Sequence, residues 1–125
     1  MIDRNDIDKL LADNGLIFSL EEKIVGKWID GKPLYQKTIN FGSLPNNTTK
    51  DVAHGVSNLK LMVECWGIAT NPSEIMTLPR VVTGVTDPKY SVALSASTTI
   101  IKITTGYDRS SFSAYVTIRY TKTTD

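Results

Sequence analysis

The stretch from Gly26 to Lys32 is a near match to a phosphate-binding loop. Its two glycines and its lysine have the spacing G-x-x-x-x-G-K, in which backbone N–H groups surround the phosphates and the lysine contacts them. The next residue should be Ser or Thr, whose hydroxyl holds Mg²⁺, but here it is Pro33, which has no hydroxyl and no backbone N–H. Asp30 would also place a negative charge beside the phosphates. The spacing is therefore interpreted as a turn between strands and not as a nucleotide site.

The chain has one histidine, His54, and one cysteine, Cys65. A Ser-His-Asp or Cys-His arrangement would have to use His54, whose neighbours resemble neither a nucleophile elbow nor a Cys-protease motif. Cys65 falls on the expected buried face of a strand, where a thiol is usually inert. These two residues are too few for a structural zinc site within one chain, although three His54 side chains could bind a metal on a threefold axis. No catalytic residue, metal or cofactor is expected.

Paired carboxylates, as in glycoside hydrolysis, are a further chemistry to consider. The fold sets the distance between two such groups, so sequence spacing alone does not reveal a pair. Asp30, Asp87 and Asp108 fall in turns, and most other acids lie near the N-terminus. We interpret them as solvated turn residues, which makes a depolymerase or peptidoglycan hydrolase the least favoured class.

Exposed aromatic side chains are more informative. Tyr107 lies beside Asp108 and Arg109 in the stretch GYDRSS, at the expected tip of a hairpin. A flat apolar ring with nearby hydrogen-bonding groups is what a saccharide site uses. Trp66 and Tyr90 are weaker candidates of the same kind. For Tyr107 the favoured interpretation is nevertheless a tip tyrosine that simply packs onto the domain, with the saccharide site as the alternative.

The composition is that of one globular domain. A chain of 125 residues suits a single core, and 41% hydrophobic with 22% charged residues argues against disorder. The net charge of +1 supplies no field that favours nucleic acid or an anionic membrane. No apolar run approaches the roughly 20 residues that cross a bilayer, so membrane insertion is not expected. A single cysteine excludes an internal disulfide, so packing or oligomerisation must supply the stability.

One short helix is predicted from Asn5 to Ala12. Asn5 can cap it, and Ile7, Leu10 and Leu11 fall on one face at i, i+3, i+4. A helix of this length is marginal alone, so its apolar stripe must pack either on the domain or on copies of itself.

From Lys23 onward the sequence has the alternation and turns of antiparallel strands. Asp30-Gly31 between two strand-like runs is a strong hairpin signal, and GYDRSS is expected to join the last two strands as another hairpin. Two further runs place apolar residues on one face: Leu59, Leu61, Val63 and Cys65, and Phe112, Ala114, Val116, Ile118 and Tyr120. About seven or eight strands without helices between them predict an all-β fold, an antiparallel β-sandwich of jelly-roll type. This domain would span residues 23–125, after an N-terminal helix and lead-in over residues 1–22.

The segment from Glu21 to Leu59 resembles one that recurs in bacteriophage tail-fibre and other minor structural proteins. The shared pattern is roughly V-G-x-W-I-D-G-K-P-[IL]-Y-[RQ]-K-T-[IV], followed by a Leu-Pro-Asn-Asn loop and a His-Gly-[IV] element. Its matches in this chain are Val25, Gly26, Trp28 to Tyr35, Lys37 to Ile39, Leu44 to Asn47, and His54 to Val56. The end of the chain, AYVTIRYTKTTD, is similar to the carboxy-terminal strand of the same proteins.

The resemblance implies the carboxy-terminal head domain of a phage fibre, a β-sandwich that is usually a homotrimer. Such heads bind a receptor on the host surface, commonly a saccharide, without catalysis. Residues 1–22 would then be the end of a stalk or a trimerising segment. The shared residues are mostly turn and strand residues, so they are interpreted as fold determinants: Trp28, Asp30, Gly31, Pro33, His54 and Gly55. Receptor specificity is expected in the unmatched middle, residues 60–111, which includes the Tyr107 loop.

The sequence thus predicts a host-adhesion module of a virion, with a bacterial cell-surface glycan as its partner. The candidate receptor-binding residues are Tyr107, Asp108, Arg109, Trp66 and Tyr90. The alternative is a purely structural virion module, a capsid fibre or baseplate component, that only trimerises or docks to another virion protein.

Overall fold

The computed structural model describes Asn5, residues 18–82, Gly84 and residues 87–125. The strands in that part of the chain are β1 (Lys23–Lys27), β2 (Pro33–Ser43), β3 (Thr49–Ala53), β4 (Leu59–Thr70), β5 (Ile75–Leu78), β6 (Val92–Ala96), β7 (Ile100–Thr105) and β8 (Ser113–Lys122), with a 3₁₀ turn at Pro88–Tyr90. Apart from Asn5, the predicted helix lies outside the described residues. The division between residues 22 and 23 stays a prediction, although β1 does begin at Lys23.

The predicted hairpin around Asp30-Gly31 is confirmed. β1 and β2 pair antiparallel, and Pro33 is the first residue of β2. Gly31 has φ +80°, a conformation that a residue without a side chain adopts at little cost. The Asp30 carboxylate accepts a hydrogen bond from the backbone N–H of Lys32 at 3.0 Å, which closes the turn. The glycine spacing of a phosphate loop therefore belongs to a strand-to-strand turn.

The strands form two antiparallel sheets. The first has the order β1-β2-β8-β4-β5 and the second the order β3-β7-β6. Every strand pair within them is antiparallel. The all-β prediction is therefore confirmed at this level.

One buried cluster takes its residues from both sheets. The alternation predicted for β8 is confirmed, since Ala114, Val116, Ile118 and Tyr120 are fully buried. They contribute to the same core as Ile101 and Ile103 of β7, together with residues of β2, β4, β5 and β6. We call the side of the five-stranded sheet that carries these residues its inner face and the opposite side its outer face.

The buried face predicted for β4 is wrong in part. Leu59 and Cys65 pack against the core, but Leu61 is 44% exposed, and Met62 packs against the core in its place. The register with β8 shifts twice, between Leu59 and Leu61 and between Met62 and Glu64. Each bulge inserts one residue and reverses which face the following side chains occupy. Strict alternation therefore fails along the first half of this strand.

The predicted hairpin between the last two strands is also wrong. β7 pairs with β3 and β6 in one sheet, whereas β8 pairs with β2 and β4 in the other. The GYDRSS stretch therefore crosses between the sheets. Its neighbours are loop residues from elsewhere in the chain rather than the ends of two paired strands.

Candidate functional site

The loop that carries Tyr107 is held by the segment between β2 and β3. The Asn47 N–H donates to the Tyr107 carbonyl at 2.9 Å, and Asn46 forms an isolated β-bridge with Asp108. The Pro45 carbonyl accepts from the Arg109 N–H at 3.2 Å and from the Thr105 hydroxyl at 2.9 Å. Thus the Leu-Pro-Asn-Asn motif, interpreted from the sequence as a fold element, positions the candidate site.

Two short polar residues shape the backbone of this loop pair. Asn47 has φ +48°, a left-handed conformation that asparagine tolerates better than most residues. One carboxylate oxygen of Asp108 accepts from the Ser110 N–H at 3.0 Å and from its hydroxyl at 2.6 Å. These bonds hold the pKa of Asp108 below its ordinary value, with the Ser110 hydroxyl as the main cause. Asp108 therefore supports the turn directly.

The structure brings Tyr107, Arg109 and Tyr90 together, with Lys89 as a fourth member. The Arg109 guanidinium lies 5.5 Å from the centre of the Tyr107 ring, and its terminal N–H donates to the Lys89 carbonyl at 2.9 Å. The Lys89 ammonium lies 5.0 Å from the centre of the Tyr90 ring. We call these four residues the loop surface. Tyr107 is 55% exposed and Tyr90 is 39% exposed, so Tyr107 does not simply pack onto the domain.

Charge is closely balanced around the loop surface. The Lys89 ammonium lies 3.7 Å from a carboxylate oxygen of Asp87. The pKa of Lys89 is raised, first by the Tyr90 side chain and then by the charges of Asp87 and Tyr107. Partly exposed tyrosine rings can stack on a sugar ring, while lysine and arginine can donate hydrogen bonds to hydroxyl or anionic groups. The arrangement therefore suits a shallow saccharide site.

Trp66 lies in a different place, on the outer face of the five-stranded sheet. It pairs in register with Thr117 and its ring lies 5.4 Å from the Arg119 guanidinium carbon. Here the structure has a groove of about 550 Å³. We call it the outer-face groove and define it by its apolar walls, which are Phe18, Leu20, Trp66, Ile68 and Tyr115. The candidate residues thus separate onto two surfaces.

The segment that supplies one wall of the outer-face groove is anchored to the sheet. The Thr38 N–H donates to the Ser19 carbonyl at 2.9 Å. A few residues later the Glu22 carboxylate accepts from the Tyr120 hydroxyl at 2.6 Å and from the Lys122 ammonium at 2.8 Å. Burial and this carboxylate both raise the pKa of Tyr120, with burial the larger cause. Residues 18–22 are thereby held beside β2 and β8.

His54 is a structural residue. It is 1% exposed, its Nδ1 accepts from the Val56 N–H at 3.1 Å, and its Nε2 lies 3.0 Å from the Ser97 carbonyl. Because Nδ1 accepts, Nε2 carries the proton and donates to Ser97, which fixes the neutral tautomer. Both ring nitrogens are occupied within one chain, so the suggested metal site on a threefold axis is wrong. The ring ties the end of β3 to the β6–β7 turn.

The residues beside His54 add a contact between the two sheets, because Lys37 lies on β2. Gly55 has φ +71°, and a side chain there would meet the Lys37 ammonium at 3.0 Å. That ammonium donates to the His54 carbonyl at 2.6 Å.

In the first hairpin, half-buried Trp28 helps to form the turn through its backbone. Its N–H donates to the Lys32 carbonyl, and its carbonyl accepts from the Gly31 N–H.

The Cys65 thiol, the other reactive side chain considered from the sequence, packs against the core. Burial raises the pKa of the half-buried Cys65 thiol to about 11, so the thiol stays protonated near neutral pH. Within residues 18–82, Gly84 and 87–125, no group of three or more His, Cys, Asp or Glu side chains could hold a metal ion. No helix among these residues is long and apolar enough to cross a membrane.

Several residues of the two surfaces were not among the residues predicted from the sequence. Lys89 follows the turn signal Asp87-Pro88 and was predicted only as part of a turn; its contacts with Arg109 and with the Tyr90 ring show that it belongs to the loop surface. Tyr115 was detectable, because the alternation of β8 places it on the outer face, where it is 49% exposed. Phe18 and Leu20 precede the first strand and carried no periodic signal.

No protein-family model, no curated protein and no solved structure matches the chain.

Proposed function

We propose that this domain is the head of a bacteriophage tail fibre and that it binds a saccharide on the bacterial surface without catalysis. The proposal joins the resemblance of residues 21–59 to the geometry of the loop surface. The architecture that we propose is an antiparallel β-sandwich of jelly-roll type, supported by two antiparallel sheets that share one core.

The observation that carries the proposal is the loop surface. Two partly exposed tyrosines lie within reach of two cations, and hydrogen bonds from the Pro45–Asn47 segment hold the Tyr107 loop in place. A rigid aromatic ring loses little conformational entropy when a sugar stacks on it, and nearby N–H donors orient the sugar hydroxyls. Since the surface is open, one copy would bind weakly.

We propose further that the domain acts as a homotrimer in the virion, attached to other virion proteins. Three loop surfaces on one fibre would bind a repetitive surface glycan with an avidity well above the affinity of one site. Sedimentation of the full chain tests this part, and a stable monomer at all concentrations would contradict it.

Binding of the full chain to intact host cells and to a panel of cell-wall saccharides tests the function itself. We expect binding, with a loss of about 10-fold or more in affinity for Tyr107→Ala and for Arg109→Ala, since aromatic and arginine anchors dominate such sites. Tyr115→Ala is the matched control, because this tyrosine is 49% exposed but lies on the outer-face groove. Lys102→Ala, on the exposed side of β7, controls for the loss of a cation.

Two results would count against the proposal. Absence of binding to every cell type and saccharide would remove host adhesion. Full affinity in Tyr107→Ala and Arg109→Ala, combined with binding by the parent, would move the receptor site away from the loop surface.

The alternative, a structural virion module, is favoured by a different feature. β5 lies at the end of the five-stranded sheet order, and Ile75 on it is 74% exposed. An edge strand can pair with a strand of another chain. Ile75→Lys and Thr77→Pro would then abolish assembly with a virion protein, whereas the adhesion proposal expects these variants to keep saccharide binding.

A further inference from the structure

The Arg109 guanidinium of the loop surface carries a charge that no carboxylate of the described residues compensates. The ion pairs among these residues do not include it. One terminal nitrogen donates to the Lys89 carbonyl at 2.9 Å, whereas Nε is buried and has no hydrogen-bond partner in the part of the chain that the structure describes. A buried donor without an acceptor is uncommon in a folded protein and calls for an explanation.

A second half-buried arginine, Arg119, shows the same group with its charge compensated. Its Nε donates to the Gln36 side chain at 2.8 Å, and a terminal nitrogen lies 3.8 Å from a Glu64 carboxylate oxygen. Both arginines lie over an aromatic ring at a similar distance, 5.4 Å for Arg119 and 5.5 Å for Arg109. The two sites therefore differ in the acceptor and the negative charge, which Arg119 has and which Arg109 lacks among the described residues.

Lys89 places a second positive charge beside the Arg109 guanidinium. The two residues are held in contact, because the guanidinium bonds to the Lys89 carbonyl. The Lys89 ammonium lies 5.0 Å from the centre of the Tyr90 ring and 3.7 Å from Asp87, which is longer than a direct N–H···O bond. Two cations and two tyrosine rings thus share one open surface.

The two carboxylates near these cations take part in their own turns. One oxygen of Asp87 accepts from the Lys89 backbone N–H at 3.1 Å, and one oxygen of Asp108 accepts both bonds from Ser110. Both side chains are exposed, so water and salt screen their repulsion of an anion, whereas a direct contact with a guanidinium acts at short range. The Arg109 charge therefore remains open to an anionic ligand.

We propose that the loop surface binds an acidic saccharide, whose carboxylate or phosphate group contacts Arg109 and Lys89 while a sugar ring stacks on Tyr107. This rests on the proposed saccharide binding and names the class of saccharide. A guanidinium matches two oxygens of a carboxylate or phosphate with paired N–H donors, and such charge-assisted bonds are about twice as strong as neutral ones. The anion would supply the counter-charge that Arg119 receives from Glu64.

Small anions test this site in the parent protein, whatever the saccharide is. Inorganic phosphate or acetate, added to the full chain at constant ionic strength, should shift the Arg109 Nε–H signal saturably in proton–nitrogen correlation spectra. The Arg119 Nε–H signal is the matched control and should not move, since that group already donates to Gln36. Arg109→Lys identifies the Arg109 signal by removing it.

Equal shifts of the two arginine signals, or no shift at Arg109, would overturn the proposal. A larger shift with phosphate than with acetate would support it with a phosphate group as the source of the anion, and the reverse order would support it with a carboxylate.

Matched saccharides separate this inference from the proposed function. The two pairs are oligogalacturonate with its carboxyl-reduced form, and maltotriose carrying a terminal phosphate with maltotriose itself. In at least one pair, the full chain should bind the acidic member about 10-fold or more tightly than the neutral one. Arg109→Gln keeps N–H donors without the charge and should abolish this preference. Lys102→Gln, on the exposed side of β7, should keep it.

The outcomes are distinguishable. Equal affinity for the acidic and neutral members of both pairs, with binding still lost in Tyr107→Ala, would overturn the preference for an acidic saccharide and leave the proposed saccharide binding in place. Absence of binding to every saccharide would remove the proposed function, and the acidic ligand with it.

Discussion

The loop surface and the outer-face groove both expose aromatic rings, yet their surroundings differ. At the loop surface each tyrosine ring lies about 5 Å from a cation, at 5.5 Å for Tyr107 and 5.0 Å for Tyr90. In the groove, Trp66 also has a cation nearby, the Arg119 guanidinium at 5.4 Å, but Tyr115 shares its surroundings with Ile68 and Phe18, and the threonine hydroxyls beneath them bond to each other. Exposure of an aromatic ring therefore does not by itself indicate what the ring binds, because the groups around two equally exposed rings can differ.

The two surfaces also differ in what supports them. The groove lies on paired strands, with β8 between β2 and β4. The loop surface depends on a few hydrogen bonds among three connecting segments, including two to the Pro45 carbonyl. We therefore expect substitutions to affect the two surfaces separately, and the following three predictions, in order of decreasing effect, examine that separation.

The largest effect is expected at Gly67 in β4. A side chain there would lie 2.9 Å from the Tyr115 backbone oxygen and 3.2 Å from Val116, so β4 and β8 would have to move apart. We predict that Gly67→Ala lowers the free energy of unfolding by about 1–3 kcal/mol, the usual cost of overpacking. Denaturant unfolding measures this, and Trp66 emission should change while saccharide binding at low temperature is kept.

Gly26→Ala is the matched control for Gly67→Ala. A side chain at Gly26 would meet nothing within 4 Å and the residue has no positive φ, so stability should change by less than about 0.5 kcal/mol. Equal stability of the two alanine variants would mean that the strands beneath the groove yield freely, which contradicts the rigid support inferred for it.

An intermediate effect is expected at Thr105, beneath the loop surface. Its buried hydroxyl donates to the Pro45 carbonyl at 2.9 Å. Thr105→Val removes that donor and should cost about 1 kcal/mol of stability. Saccharide affinity should fall as well, while the Trp66 emission stays unchanged.

Thr104→Val is the control for Thr105→Val, because the Thr104 hydroxyl bonds to Thr49 at 2.8 Å on the exposed side of the second sheet. It should leave saccharide affinity as in the parent. If Thr105→Val also keeps its affinity, the Pro45 contact does not position the loop surface.

The smallest effect is an acid sensitivity that arises at Asp108, beside the loop surface. The bonds from Ser110 depress the pKa of Asp108 in the folded state below 3.8. In the unfolded chain this carboxyl therefore takes up its proton first as the pH falls. Its contribution to stability is complete above the ordinary pKa and is lost as the pH falls through the folded value.

We expect Asp108→Asn, which keeps the acceptor oxygen but cannot titrate, to lose less stability between about pH 6 and about pH 3 than the parent. Ser110→Ala should reduce the acid loss too, since the Ser110 hydroxyl is the main cause of the shift. Unfolding midpoints at the two pH values measure both. An acid loss in Asp108→Asn as large as in the parent would show that the Ser110 contact does not stabilise the ionised form.

Local pattern predicted those parts of the fold that depend on residues close in sequence. The Asp30-Gly31 hairpin needed one turn signal, and the inner face of β8 needed only strict alternation. The two bulges of β4 were not predicted, because no particular residue type marks the inserted residue. Only the register with β8 reveals them. The crossing from β7 to β8 was not predicted either, because a short turn-rich loop can join strands of different sheets as well as two paired strands.

For the candidate site, the sequence placed Tyr107 beside Arg109 because they are two residues apart. It grouped Trp66 and Tyr90 with them only by residue type. The structure brings Tyr90 close through the contact between Lys89 and Arg109 and leaves Trp66 on the outer face. Such proximity depends on strand order, which no local signal contains.

By itself, the sequence determined the class of fold, the first hairpin and the buried side of the last strand. These follow from side-chain alternation and turn chemistry, which act over a few residues. Only the tertiary structure decided that Tyr107 is exposed, that its loop crosses between sheets, that the Leu44–Asn47 motif supports this loop, and that an apolar groove lies on the outer face of the five-stranded sheet. Those outcomes depend on which strands pair across long stretches of chain, and pairing is selected by the packing of the whole core.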